Sequence, residues 1–298
     1  MLSLHTNVAS LSAQNSLTRT QTQLSTSMTR LSTGYRINSA MDDAAGLQIA
    51  TRLKAQSSGM SVAMRNTQNS ISMLQTADGA LNEVNNILTR MKDLATQSAD
   101  GSSSADDQTA MQSEYNSLTD ELSNIFSNTK FGGTKLLNTA ADASKLSSTT
   151  GVTFQIGADS SETMTANFST ELGTVNTDIA AATSGYAGDG TAAGTPSAGT
   201  NLTAAGAANT AIGNLSSAID AVSALRSKLG AVSNRLDHVY NNLSNISSNT
   251  QAATGRIMDV DFATESSSMT SNQMLMQAGT AMLKQTNSMS SMVMSLLQ

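Results

Sequence analysis

The chain has 298 residues, room for about two domains, with 3% aromatics, a net charge of -6 and 13% charged residues against the usual ~25%. The absence of Cys excludes disulfides and thiolate metal sites, and two His, His5 and His238, exclude a multi-His centre. The acidic balance argues against nucleic acid as a partner, and no apolar run approaches the ~20 residues of a membrane helix.

The first residues, MLSLHTNVASLSAQ, carry no basic region, apolar run or small-residue cleavage site, so no cleaved secretory signal is expected. Leu17, Gln21, Leu24, Met28 and Leu31 then step by 4, 3, 4 and 3, the spacing of a helix seam packed along another helix. Ser39 with Asp42 fits a capping box, and so does Ser103 with Asp106. Between them Leu74, Ala77, Leu81, Val84, Leu88, Met91 and Ala95 form a second long seam. Met111, Tyr115, Leu118, Leu122 and Ile125 form a third, which Phe131-Gly132-Gly133 is expected to end.

Val152, Phe154 and Ile156 alternate with polar residues, and Thr163–Phe168 follows a polar turn, which predicts a β-hairpin. From about Glu171 to Asn209 the periodicity is lost in Gly, Ala, Thr and Ser, as in a loop or linker. Helical spacing returns from Ile212 through Leu215, Ile219, Val222, Leu225, Leu229, Val232, Leu236, Val239 and Leu243 to Ile246. The last stripe is Leu275, Ala278, Met282, Gln285, Met289, Met292 and Leu296. Seven of the 17 Met lie in 269–298, and this stripe reads either as ordinary core or as a face covered by a partner. Residues 3–33 are crowded with Ser, Thr and Asn, mediocre helix formers, so the two terminal helices are expected to pair with each other and to order on assembly.

Chemical motifs give little. Asp42 and Asp43 point about 100° apart on a helix and serve its N-terminus rather than one substrate atom. Asp259 and Asp261 lack a third ligand at cation-loop spacing, and Gly188-Asp189-Gly190 lacks a preceding strand. No Ser–His pair is supplied, so the chain is not expected to be an enzyme, and no cofactor or metal is implied.

Several long stretches resemble the bacterial flagellin signature: LSTGYRINSAMDDAAGLQIA (31–50), GALNEVNNILTRMKDLATQSA (79–99), TKFGGTKLLN (129–138), FQIGADSSETM (154–164), LGAVSNRLDHVYNNLSN (229–245) and GRIMDVDFATESSSMTSNQMLMQAGTAML (255–283). They are collinear and occupy both ends of the chain. The HTN near the start and MSVAMRN at 60–66 look closer to lateral-type flagellins.

The resemblance implies a mainly α fold of long antiparallel helices in coiled-coil and bundle layers with a small β-hairpin. Residues 1–42 and 256–298 would form the inner-tube coiled coil, 43–170 and 208–255 the helical bundle with the hairpin, and 171–207 a reduced variable loop. It implies a self-polymerising filament subunit for motility, located outside the cell and exported without a cleaved signal peptide. Assembly would use Leu17, Leu24, Met28, Leu31, Leu275, Met282, Met289, Met292 and Leu296. The family's partners are further copies of the chain, an export chaperone, and cap and junction proteins, with no nucleic acid and no membrane.

A flagellin-sensing Toll-like receptor would read Arg90, Leu94 and Glu114, residues that also serve as plain helix-surface and seam positions. The Leu-rich C-terminal end resembles the segment sensed by cytosolic inflammasome receptors. A hook–filament junction protein shares the terminal design but usually has Pro after the paired Asp, where this chain reads Ala44. A soluble coiled-coil adaptor would instead form a small closed oligomer.

Overall fold

The computed structural model describes residues 7–138, 144–183, 185–188, 201–204 and 206–296, with side chains described to residue 289. Among them, six helices and two hairpins follow in order: α1 (Val8–Thr33), α2 (Ala44–Ser98), α3 (Ala105–Asn128), β1 (Lys130–Phe131), β2 (Thr134–Lys135), β3 (Val152–Gln155), β4 (Thr163–Ala166), α4 (Ser169–Ala182), α5 (Ala207–Met258) and α6 (Phe262–Leu296). The mainly α class and the small hairpin agree with the periodicity. The chain divides into two compact units, one drawn from its ends up to Ser57 and from Ser247 onward, the other Ser58–Ile246. The divisions fall inside α2 and α5, whereas the edges read from the sequence lie nearer the chain ends, at 42/43 and 255/256.

The middle unit carries the core. Every residue of the seam from Leu74 to Ala95 is buried. It shares a core with Tyr115, Leu122 and Phe126 of α3 and with Leu215, Val222, Leu225, Leu229 and Leu236 of α5. Each such side chain contributes roughly 1.5–3 kcal/mol of burial. The α2 and α5 segments run antiparallel: Arg226 donates to Asp78 (2.9 Å) and Asn82 (3.0 Å), while Leu243 packs with Met60 and Ala63. Ser104 caps α3 in a reciprocal box with Asp107, one residue later than the spacing suggests. The Ser104 hydroxyl, then its backbone N–H, hold the Asp107 carboxyl below the ordinary carboxylate range.

Two elements differ from expectation. Phe131-Gly132-Gly133 does not merely end α3, because Gly132 (φ 56°) and Gly133 (φ 83°) form the two-residue loop of the β1–β2 hairpin. Within 171–207, read as loop, the chain instead forms α4, burying Leu172, Val175, Ile179 and Ala182 on one face. Its buried apolar residues step by 3 and 4 over only four positions, and Ala, Gly and polar residues fill the rest. The β3–β4 hairpin pairs Phe154 with Met164, both buried. Its turn lies on α2, where a Cβ on Gly59 would stand 2.7 Å from the Ala158 Cβ.

Tyr115 ties α3 to the end of α4. Its hydroxyl donates to the Ala182 carbonyl at 2.8 Å, and burial pushes its ionisation well above the ordinary phenol value. Tyr115→Phe keeps the ring but strands that carbonyl, so denaturant unfolding should show a loss of about 1–3 kcal/mol. The wild-type fold retains the phenol proton where the unfolded chain releases it, so this contribution falls as pH rises above ~10, by about 1.4 kcal/mol per unit. That slope should be missing from Tyr115→Phe.

Candidate functional site

α1 is a weak helix on its own. Thirteen of its 26 residues are Ser, Thr or Asn, each up to about 0.7 kcal/mol worse than Ala in a helix. The hydroxyls of Thr18, Thr20, Thr22, Thr26, Thr29 and Thr33 donate back to carbonyls four residues earlier. Asn7 caps the start by accepting from the Ser10 N–H (3.1 Å), and Gly34, at φ 76°, returns its N–H to the Arg30 carbonyl. α6 starts after Asp261, which accepts from the backbone N–H groups of Ala263 and Thr264 and from the Thr264 hydroxyl. The Thr264 hydroxyl foremost, then those backbone groups, hold its carboxyl below the usual range.

The two helices pair antiparallel. Asn7 donates to the Thr286 carbonyl (3.2 Å), Ser10 to Asn287 (3.3 Å), and Arg30 lies 3.7 Å from Glu265 at the other end. Ala13, Leu17, Thr20, Leu24, Ser27 and Leu31 are the shielded stripe of α1, and Met269, Asn272, Met276, Gly279, Leu283 and Thr286 that of α6. A Cβ on Gly279 would meet Leu17 Cδ1 at 3.1 Å. The Cα traces come within 8 Å along the pair, an approach no other two helices sustain among the described residues. Small seam residues permit it, since interaxial distance follows side-chain size. Beside Arg30 the chain links back on itself. Tyr35 bridges Asp259, Arg36 N–H donates to the Met258 carbonyl (2.6 Å), and Val260 N–H to the Gly34 carbonyl (3.0 Å).

The structure corrects the seam read from the sequence. Leu17, Leu24 and Leu31 do face the pair, but Gln21 and Met28 are exposed and Thr20 and Ser27 take their places. On α6, Leu275, Ala278, Met282, Gln285 and Met289 are exposed, and the contact stripe lies one residue later. The side chains of Met292 and Leu296 lie outside the described residues. The exposed apolar side chains of this unit also include Val8, Leu11 and Met274. Periodicity found a stripe, but close approach selected the neighbouring one with the smaller residues. A lone Gly inside a helical pattern was the available signal for it, since such a Gly usually has a packing reason. The opposite charges of Arg30 and Glu265 were the second signal.

Arg90, Leu94 and Glu114 sit in the middle unit. Arg90 Nε and Nη2 donate to Glu114 Oε1 at 2.9 and 2.7 Å on the surface, while Leu94, 2% exposed, is buried below. His238 is exposed, and His5 lies outside the described residues. None of the described helices is long and apolar enough to cross a membrane.

Two long terminal helical regions around a short middle define a class, and the comparisons agree with it. Residues 4–142 match the family profile described as the bacterial flagellin N-terminal helical region, and 212–297 match the bacterial flagellin C-terminal helical region. The chain belongs to the bacterial flagellin family. Polar flagellin F of Vibrio parahaemolyticus is 53% identical over 161 residues, which is 54% of this chain and 41% of that protein. Flagellin C of Vibrio cholerae is 50% identical over 166 residues, 56% of this chain and 42% of that protein. The chain therefore spans under half the length of these curated relatives. A Vibrio parahaemolyticus protein provisionally named as flagellar hook-associated shares the fold, with TM-score 0.53 over 73% of this chain and 100% of its own at 18% identity.

Gly279 tests the pairing. Gly279→Ala asks only that the flexible end of Leu17 give by a few tenths of an ångström, and it should be tolerated. Gly279→Leu should drive the helices apart, and amide exchange across α1 and α6 should accelerate about tenfold or more while the middle unit keeps its protection.

Proposed function

We propose that this chain is the structural subunit of a flagellar filament outside the cell, and that copies stack through the outer faces of the α1–α6 pair. The observation that carries this is the exposed line Leu275, Met282 and Met289, spaced by seven on one face of α6, in a unit whose two helices share only a thin seam. Each such side chain gains roughly 1.5–3 kcal/mol when fully covered, and none of the described residues of the chain supplies that cover. α1 itself is too rich in Ser and Thr to hold firmly alone, so its order depends on the same neighbours. Contacts between two different faces of successive copies leave the assembly open-ended, as a filament requires. Low charge density limits repulsion among closely stacked copies. Before assembly the same faces would suit an export chaperone.

The test is seeded polymerisation of the full chain, followed by light scattering and electron microscopy. Long filaments are expected from the intact chain and none from a chain lacking 256–298. Leu275→Glu with Met282→Glu should leave the melting of the middle unit unchanged and abolish elongation. A small closed oligomer under all conditions would overturn the reading and favour the adaptor or the junction protein.

The exposed Arg90–Glu114 pair further supports docking of a flagellin-sensing receptor on the α2–α3 surface. Arg90→Glu should weaken receptor binding several-fold with a stability change within about 1 kcal/mol, because exposed ion pairs contribute little. Unchanged receptor affinity would overturn this part.

A further inference from the structure

Most of the described methionines of this chain fall into two sharply different environments. In the middle unit Met60, Met73, Met91, Met111 and Met164 are 0–9% exposed. On the terminal helices Met28, Met274, Met282 and Met289 are 54–62% exposed, Met41 in the turn before α2 is 96% exposed, and Met64 of α2 is half-buried. Susceptibility of a thioether to oxidation follows its exposure, so one reagent should separate the two sets.

We infer that Met28, Met274, Met282 and Met289 are modification sites for hydroperoxide-class oxidants, and that their oxidation blocks growth of the assembly while leaving the middle unit folded. The consequence for growth rests on the filament reading above; the identity of the sites does not. In each event a sulfur lone pair attacks the terminal oxygen of the hydroperoxide. An S–O bond forms, the O–O bond breaks, and the proton moves to the leaving oxygen. Sulfur loses two electrons, and the hydroperoxide is reduced to water or an alcohol.

The product is a polar, chiral sulfoxide in place of a flexible apolar thioether. Two of the four sites, Met282 and Met289, share the line of Leu275, so oxidation converts a continuous apolar line into one interrupted twice. A sulfoxide buried there without a donor would lose its solvation, whereas the exposed monomer hydrates it freely. Oxidation therefore disfavours the assembled state and leaves the free chain nearly unaffected. The seam methionines Met269 and Met276 are half-buried against α1 and are expected to react after the outer set. Reduction by the paired methionine sulfoxide reductases, with a dithiol oxidised to a disulfide as electron donor and the oxygen leaving as water, would restore the line, which makes the block reversible.

The experiment treats the full-length monomer with hydrogen peroxide, maps oxygen addition by peptide mass spectrometry, and measures elongation from untreated seeds. Met28, Met274, Met282 and Met289, together with the exposed Met41, should gain oxygen before the five buried methionines of the middle unit, with the circular dichroism of that unit unchanged. Elongation should fall about fivefold or more, the least expected when one unpaired polar group is desolvated. Both sulfoxide reductases together, supplied with a dithiol reductant, should restore it. In a variant with all four residues changed to Leu, the ratio of treated to untreated elongation should stay near unity. Oxidation of the five buried middle-unit methionines at the same rate would overturn the site assignment. Full occupancy at the four sites with undiminished elongation would overturn the block. Failure of the untreated chain to extend seeds would instead overturn the filament reading, and the mass map would still decide the sites.

Discussion

The close approach of α1 and α6 is the constraint on which the terminal unit depends. It requires Ala13, Thr20, Ser27 and Gly279 on the seam, because larger residues there would push the axes apart. Successive residues of a helix lie about 100° apart, so placing Met276 and Leu283 inward necessarily turns Leu275 and Met282 outward. One helix thus carries two apolar stripes, one spent on its partner in the same chain and one left open. The thin seam and the open outer line are two sides of a single choice of small residues.

The two units are stabilised differently. The middle unit buries long runs of Leu, Val and aromatic side chains and anchors α4 with contacts such as the Tyr115 hydroxyl on the Ala182 carbonyl. The terminal unit has no comparable cluster among the described residues. Its buried side chains are few and include Ser27, Ser57, Ser247 and Thr250. Local stability in proteins follows buried apolar contact, so opening of the terminal pair is the low-energy fluctuation of this chain. A unit that is marginal alone and apolar outside is suited to being completed by copies of itself.

The long helices of the middle unit were legible because their seams are built from Leu, Val, Ile and Met at unbroken spacing, a pattern few other structures satisfy. α4 was not, because four apolar positions among Ala, Gly and polar residues do not outweigh a flanking low-complexity run. The β1–β2 hairpin was hidden by its length, since two-residue strands show no alternation and the Gly pair serves a helix end equally well. The terminal helices were found but their facing was not. Periodicity reports that an apolar stripe exists, and it cannot say whether that stripe meets the partner helix or the solvent when a second, smaller stripe runs one residue away. The paired Asp divide their work in a way spacing alone did not separate: Asp42 accepts from the Asn38 and Ser39 N–H groups in the turn, and Asp43 accepts from Gly46 at the start of α2.

A seam of small and polar residues specifies register poorly, because sliding by one heptad presents nearly the same surface. Charge supplies what shape does not. Glu265 is the one carboxylate of α6, and α1 offers only the cations Arg19 and Arg30. The observed antiparallel register sets Arg30 against Glu265, whereas a parallel pairing would bring Arg30 toward Lys284 and leave Glu265 without a cation. The pair is half-shielded and lies at 3.7 Å, so its contribution is selection more than strength. It stands at the same end of the seam as the backbone link of Gly34, Tyr35 and Arg36 to Met258, Asp259 and Val260. Register is thereby fixed where both chain segments are tied by main-chain bonds, and the opposite end of the pair, toward Asn7 and Thr286, is held by two polar side-chain contacts alone. The pair is firm at the turn and loosens toward the chain ends, and the outermost line residue described, Met289, lies on the looser part, where added copies have the most order to confer.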